Sequence, residues 1–263
     1  MARRIILHTG FHKTGTSTLQ ATLRENRVAL KHHVALRLRW HLKDVVAAAR
    51  GYSMDHDPLT LIKVQTRFGQ MVNELPGMPR RTLIISAEEL LGHLPGRDDL
   101  ANYGAAPVLL YAYWEILKSR YPQAEILIYL TTRAPEAWLA SAYAEHVKSS
   151  NMTLDFDSFR ARFAGAADLE ATVADIASRV PVKVHSIRLE NCRDLPLGPL
   201  DPLLDLAEVP LALRPELVPA KYVNRRPSDT VLQALLAANQ TYASDAQARN
   251  AAKAAILSQA GLS

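Results

Sequence analysis

One cysteine, Cys192, is all the sulfhydryl chemistry that the 263 residues contain. A single thiol excludes an intramolecular disulfide framework and a cysteine-rich metal site, and it suits a reducing compartment. Long apolar runs are missing as well. The stretches around Val108 to Leu117 and Ile126 to Leu130 are broken by charge or fall far below the ~20 residues of a membrane-spanning helix. Arg3 and Arg4 precede only Ile5-Ile6-Leu7 before His8, Thr9 and Gly10, too short a run for the apolar core of a signal peptide. The expectation is a soluble, cytoplasmic protein. Internal repeats and low-complexity linkers are lacking too, which favours one domain over residues 1–263.

What is present suffices for a large core, since 48% of the residues are hydrophobic and a chain of this length buries most of them in one α/β unit. The net charge of +5 and the pI near 9.3 would suit nucleic acid. The basic residues are dispersed, however, and the densest run, Arg24 to Lys43, interleaves them with histidines and apolar positions as a solvated helix or strand face does. No nucleic-acid partner is expected.

Short apolar runs alternate with helical patterns. Strands are expected at Arg4 to Thr9, Thr82 to Ser86 and Glu125 to Leu130, each ending at a polar residue. A fourth, Val182 to Arg188, alternates with period two as a half-buried strand near a sheet edge does. Helices are expected over Ser17 to Asn26, Leu59 to Glu74 and Pro107 to Arg120. Further helices follow Pro135, whose missing N–H suits a first turn, and cover Asp155 to Phe163 and Asp168 to Ser178, with an Ala-rich helical tail from Asp229 to Leu262. This order specifies an α/β fold: a three-layer sandwich with a mostly parallel central sheet of about four to five strands. Helical insertions fall around residues 40–76 and 148–180. Ligands of such sheets bind beyond the carboxyl ends of the strands, so function is sought at Thr9-Gly10, at Ser86-Ala87-Glu88 and at Thr131-Thr132-Arg133.

At the first of these ends, Gly10-Phe-His-Lys-Thr-Gly-Thr-Ser17 joins a strand to a helix. Such a loop turns free backbone amides and a positive helix end toward one point. Lys13 adds a mobile charge, Thr14, Thr16, Ser17 and Thr18 add hydroxyls, and Gly15 admits close approach of a phosphate. A nucleoside-triphosphatase loop would carry lysine after its last glycine. Here lysine stands two positions before Gly15, which disfavours a triphosphate shared with magnesium but not phosphate itself.

Lys13-Thr-Gly-Thr-Ser17, with a strand before it and Thr-Leu-Gln after it, resembles the 5′-phosphosulfate loop of sulfotransferases that use 3′-phosphoadenosine 5′-phosphosulfate (PAPS), particularly bacterial members with His-Lys-Thr-Gly-Thr. Leu130-Thr-Thr-Arg133-Ala-Pro-Glu-Ala-Trp-Leu-Ala-Ser141 is similar to the family's second signature, in which an arginine and a serine eight residues on hold the nucleotide 3′-phosphate. Ala134 departs from the aspartate of many relatives. Lys221-Tyr-Val-Asn-Arg-Arg-Pro-Ser228 resembles a segment that closes over the nucleotide, with Asn224 and Arg225 or Arg226 toward a phosphate. The resemblance implies a P-loop-like fold and PAPS as cofactor, leaving adenosine 3′,5′-bisphosphate (PAP) as product, with no metal required.

On that resemblance, the cofactor-binding set is Lys13, Thr14, Gly15, Thr16, Ser17, Thr18, Arg133, Ser141, Asn224, Arg225 and Arg226. Thr18 stands where some relatives stack an aromatic ring on adenine. Lys13 would stabilise the leaving phosphate, and Glu88, at the end of the strand that finishes at Ser86, is the expected base for a hydroxyl-bearing acceptor. His12 is the rival base, or a ligand of the phosphosulfate. His8 is expected to be a structural histidine and Glu89 to point away from the site. The residue patterns leave two other functions open: an ATP-dependent small-molecule kinase with an atypical loop, and a non-catalytic nucleotide- or nucleic-acid-binding module. The acceptor, whether glycan, lipid or small molecule, has no legible motif.

Overall fold

A computed structural model describes residues 2–78, 80–220 and 226–262. Among these residues, five strands form a single all-parallel sheet: β1 (Arg4–His8), β2 (Val34–Leu38), β3 (Thr82–Ser86), β4 (Glu125–Thr132) and β5 (Val184–Arg188), in the order β2-β3-β1-β4-β5. The helices are α1 (Thr16–Glu25), α2 (Arg27–Leu30), α3 (Lys43–Asp55), α4 (Pro58–Asn73), α5 (Ala106–Arg120), α6 (Pro135–Ser149), α7 (Phe156–Phe163), α8 (Leu169–Arg179), α9 (Leu200–Leu206), α10 (Asp229–Thr241) and α11 (Ala246–Gln259).

The period-two alternation of the strands sorts their side chains into two cores. Ile5, Leu7, Leu83, Ile85, Ile126, Ile128 and Leu130 pack with α3, α4, α5, α6 and α8 on one face. Ile6, Ile84, Leu127 and Tyr129 pack on the other against Leu19 and Leu23 of α1 and Leu200, Leu203 and Leu204 of α9. Both faces are covered, so the strands read as nearly continuous apolar runs. Ile5, Ile6 and Leu7 are wholly buried, each contributing about 1.5–3 kcal/mol over an exposed position. The result is the expected three-layer α/β sandwich, P-loop-like in layout.

One difference from the sequence reading concerns an edge of the sheet. Strand β2 lies in the segment read only as a solvated face: Arg37 and Leu36 are half-exposed there, as an edge strand permits, which blurs the apolar pattern. Strand β5 is the opposite edge, as expected, with Val184, His185 and Ile187 half-buried and Ser186 and Arg188 exposed. The Ala-rich tail is two helices, broken at Tyr242 and restarted by Asp245, whose carboxylate accepts from the Ala248 N–H.

The topology positions the site. From β1 the chain runs toward β2 on one side of the sheet, and from β4 toward β5 on the other. Neighbouring strands whose chains diverge open a crevice at their carboxyl ends. Thr9 to Gly15 follows β1 and Arg133 follows β4, so both sequence motifs reach that crevice.

Candidate functional site

The loop after β1 is built to hold a tight turn. Gly10, Lys13 and Gly15 all have positive φ, of 35°, 66° and 90°. A Cβ on Gly10 would fall 2.4 Å from Thr16 Oγ1, so the approach of loop to helix demands glycine. Gly15 is the N-cap of α1 and no side chain caps that helix, which leaves its first amides directed out of the loop.

Inside the turn, Thr14 is fully buried, and its hydroxyl donates to the Phe11 carbonyl at 2.6 Å and meets Thr131 Oγ1 on β4 at 2.8 Å. Thr16 is also buried, its hydroxyl directed at the Phe11 carbonyl. These two hydroxyls therefore shape the loop, and what they can offer a ligand is their amides. Ser17 and Thr18 are exposed on the first turn of α1.

His12 is braced on three sides. Its N–H donates to the Tyr103 hydroxyl at 3.2 Å, its Nδ1 lies 3.2 Å from that oxygen, and its carbonyl accepts from Trp138 Nε1 at 2.9 Å. Burial, and then the positive charge of His93, Arg50 and Arg97, push the imidazole down to about 3. His8 is wholly buried, with Nδ1 2.8 Å from Ser86 Oγ, and burial lowers it likewise to about 3. It is the structural histidine expected from the sequence.

Lys13 and Arg133 meet the loop from opposite ends. Lys13 Nζ donates to Glu145 Oε2 on α6 at 3.0 Å. Arg133 Nη1, leaving the end of β4, donates to the Lys13 carbonyl at 3.0 Å. Beside it, the Ala134 N–H donates to Glu190 Oε1 at 3.3 Å. Ser141 stands half-buried on α6, one helical turn before Glu145 and on the same face of the helix.

Glu88 opens a short 3-10 turn, Glu88–Leu91, beyond β3. Burial raises its carboxyl above the usual range, against the opposing pull of Lys13, Arg39 and Arg50. Among the described residues it makes no ion pair. Glu89 is turned away, as expected, and is held by Arg39 at 3.0 Å and by Arg50. Arg226 is exposed and bonded to Asp229, while Asn224 and Arg225 lie outside the described residues.

Lys13, Glu88, Arg133 and the α1 amides thus converge at the carboxyl ends of β1, β3 and β4. The site can hold an anion by backbone amides and two cations, with a partly buried carboxyl nearby to take a proton. Its glycines and its uncapped helix fit a phosphate-bearing cofactor. Glu145, Tyr103 and Trp138 were not read from the sequence. For Glu145 a signal existed, since it lies four residues after Ser141 and must share its helix face. Tyr103 and Trp138 gave none, because only the fold brings them to His12.

No protein-family model matches the chain, and no curated protein matches it in sequence.

Proposed function

We propose that the protein is a sulfotransferase moving a sulfuryl group from PAPS to an acceptor hydroxyl. The observation that carries this reading is the hydrogen bond from Arg133 to the Lys13 carbonyl at 3.0 Å. The two stretches that resemble the family's phosphosulfate loop and 3′-phosphate signature are 120 residues apart in sequence and touch through that bond. PAPS supplies the sulfuryl group. Lys13 and the amides of Gly15 to Ser17 hold the 5′ end and offset charge growing on the leaving phosphate oxygen. Arg133 and Ser141 hold the 3′-phosphate.

Glu88 takes the acceptor's proton as the hydroxyl oxygen attacks. A base serves best when its pKa lies near the working pH. Burial moves Glu88 up toward that range, whereas it moves His12 down to about 3, so Glu88 is the better base and His12 a part of the loop's frame.

Thermal shift tests the reading with three ligands: PAP, ATP with magnesium, and an oligonucleotide. PAP alone is expected to stabilise the fold. Equal stabilisation by ATP with magnesium would support a kinase, and stabilisation by the oligonucleotide alone a nucleic-acid-binding module.

A further inference from the structure

Beyond the Lys13–Glu145 pair, α6 continues for one turn and ends against α11 and the loop that contains Gly96. A cleft of about 470 Å³ lies there, within the size range of small-ligand sites. Four cationic side chains line it, Arg97, Lys148, Arg249 and Lys253, against one carboxylate, Asp98. Among the described residues none of the four makes an ion pair. Their hydrogen bonds go to uncharged groups instead: Arg97 to Ser149 Oγ, Arg249 to the Tyr242 and Ala243 carbonyls.

Lys253 is the most telling. It is 6% exposed, and its ammonium donates to the Ser150 carbonyl at 2.6 Å and to Asn239 Oδ1 at 3.0 Å. A buried ammonium with no carboxylate beside it is costly, and burial followed by the charge of Arg249 lowers its pKa to about 8. Asn239 is itself fully buried and donates to the Val147 and Met152 carbonyls. The lysine is therefore held in a fixed place at the wall of a cleft whose charge is unbalanced, and low-dielectric walls concentrate such a field on an anion.

The cleft also adjoins the reacting centre. Glu145, Lys148 and Ser149 follow one another along one face of α6. Arg97 lies close enough for its charge to be felt by His12 in the loop and by His93.

We propose that this cleft binds an acidic group, a carboxylate or sulfate ester, on the hydroxyl-bearing acceptor. The inference rests on the sulfotransferase reading for the word acceptor, though not for the anion. Arg97 and Arg249 grip the acid from the open side and Lys253 meets it at the wall. The acceptor hydroxyl then lies toward Glu88.

Calorimetry on the full chain, saturated with PAP, tests this with a disaccharide of hexuronic acid and sulfated hexosamine, with its carboxyl-reduced and desulfated counterpart, and with inorganic sulfate. The acidic disaccharide is expected to bind and the neutral one not. The Arg97→Gln/Arg249→Gln variant should lose at least about tenfold of that affinity, as expected for two charge-assisted contacts, while its affinity for PAP stays unchanged. Equal binding of the two disaccharides, or undiminished binding by the variant, would overturn the cleft. Sulfate matching the acidic disaccharide would make it a free-anion site and overturn the acceptor assignment. A variant that also loses PAP would place the cleft within the nucleotide site and overturn the proposal. If the wild type shows no heat with PAP yet binds the acidic disaccharide through these arginines, the cleft stands and the nucleotide reading falls.

Discussion

Lys13 Nζ is tied to Glu145 Oε2 at 3.0 Å across the crevice between the loop and α6. Both side chains are partly buried, and Glu145 shows the outcome of the contest: burial pushes its carboxyl up, but the Lys13 ammonium outweighs this and holds it below its ordinary value. An arriving phosphate must share Lys13 with that carboxylate or draw it away. Glu145→Gln should therefore tighten PAP binding by about twofold to fivefold, the range of a partly exposed ion pair. Calorimetric titration of both proteins checks this, and weaker binding by the variant would show that Glu145 positions Lys13 for the nucleotide instead.

Glu88 gives the chemistry its pH dependence. A carboxyl raised by burial is deprotonated only above its raised pKa, so turnover as a base should climb with pH through that value and level off above it. Glu88→Gln should abolish this acid limb and lower kcat by roughly 100-fold or more, with the PAP affinity retained. Turnover measured from pH 5 to 9 checks both halves.

The buried histidines set the acid side of stability. His8 is held neutral with a folded pKa of about 3 against 6.5 in the unfolded chain. Between those values the unfolded state binds the extra proton, so the stabilisation is complete above about pH 6.5 and is lost as pH falls toward 3. The loss is about 1.4 kcal/mol per pH unit for each such histidine. His8→Asn should flatten the slope by that amount between pH 6 and 4.5, measured by urea denaturation.

Gly15 supports a fourth expectation. At φ 90° a side chain is strained, and a Cβ there would fall 2.7 Å from Leu189 Cδ1. Gly15→Ala should cost about 1–3 kcal/mol of stability and weaken PAP binding, because the turn that aims the α1 amides cannot close. Chemical denaturation and calorimetry on the same samples separate the two effects.

Much of this arrangement is legible in the sequence because strand ends are local features. Ile5-Ile6-Leu7, Thr82 to Ser86 and Ile126 to Leu130 are apolar runs that stop at polar residues, and those stops are where the loop, Glu88 and Arg133 lie. Strand β2 escaped because an edge strand needs only part of its surface buried, so Arg37 interrupts its pattern. The inward turn of the Thr14 hydroxyl escaped for another reason: its partner Thr131 is 117 residues away, and only the pairing of β1 with β4 brings them together. The same holds for the bracing of His12 by Tyr103 and Trp138.

The most direct test of the central claim is the affinity difference between PAP and adenosine 5′-monophosphate, which lacks the 3′-phosphate, measured by calorimetry in the wild type and in Arg133→Ala. The wild type should prefer PAP by about 10- to 100-fold, the worth of a charge-assisted arginine–phosphate contact, and the variant should lose most of that preference. Equal affinity of the wild type for the two nucleotides, or a preference that survives the loss of Arg133, would contradict the account.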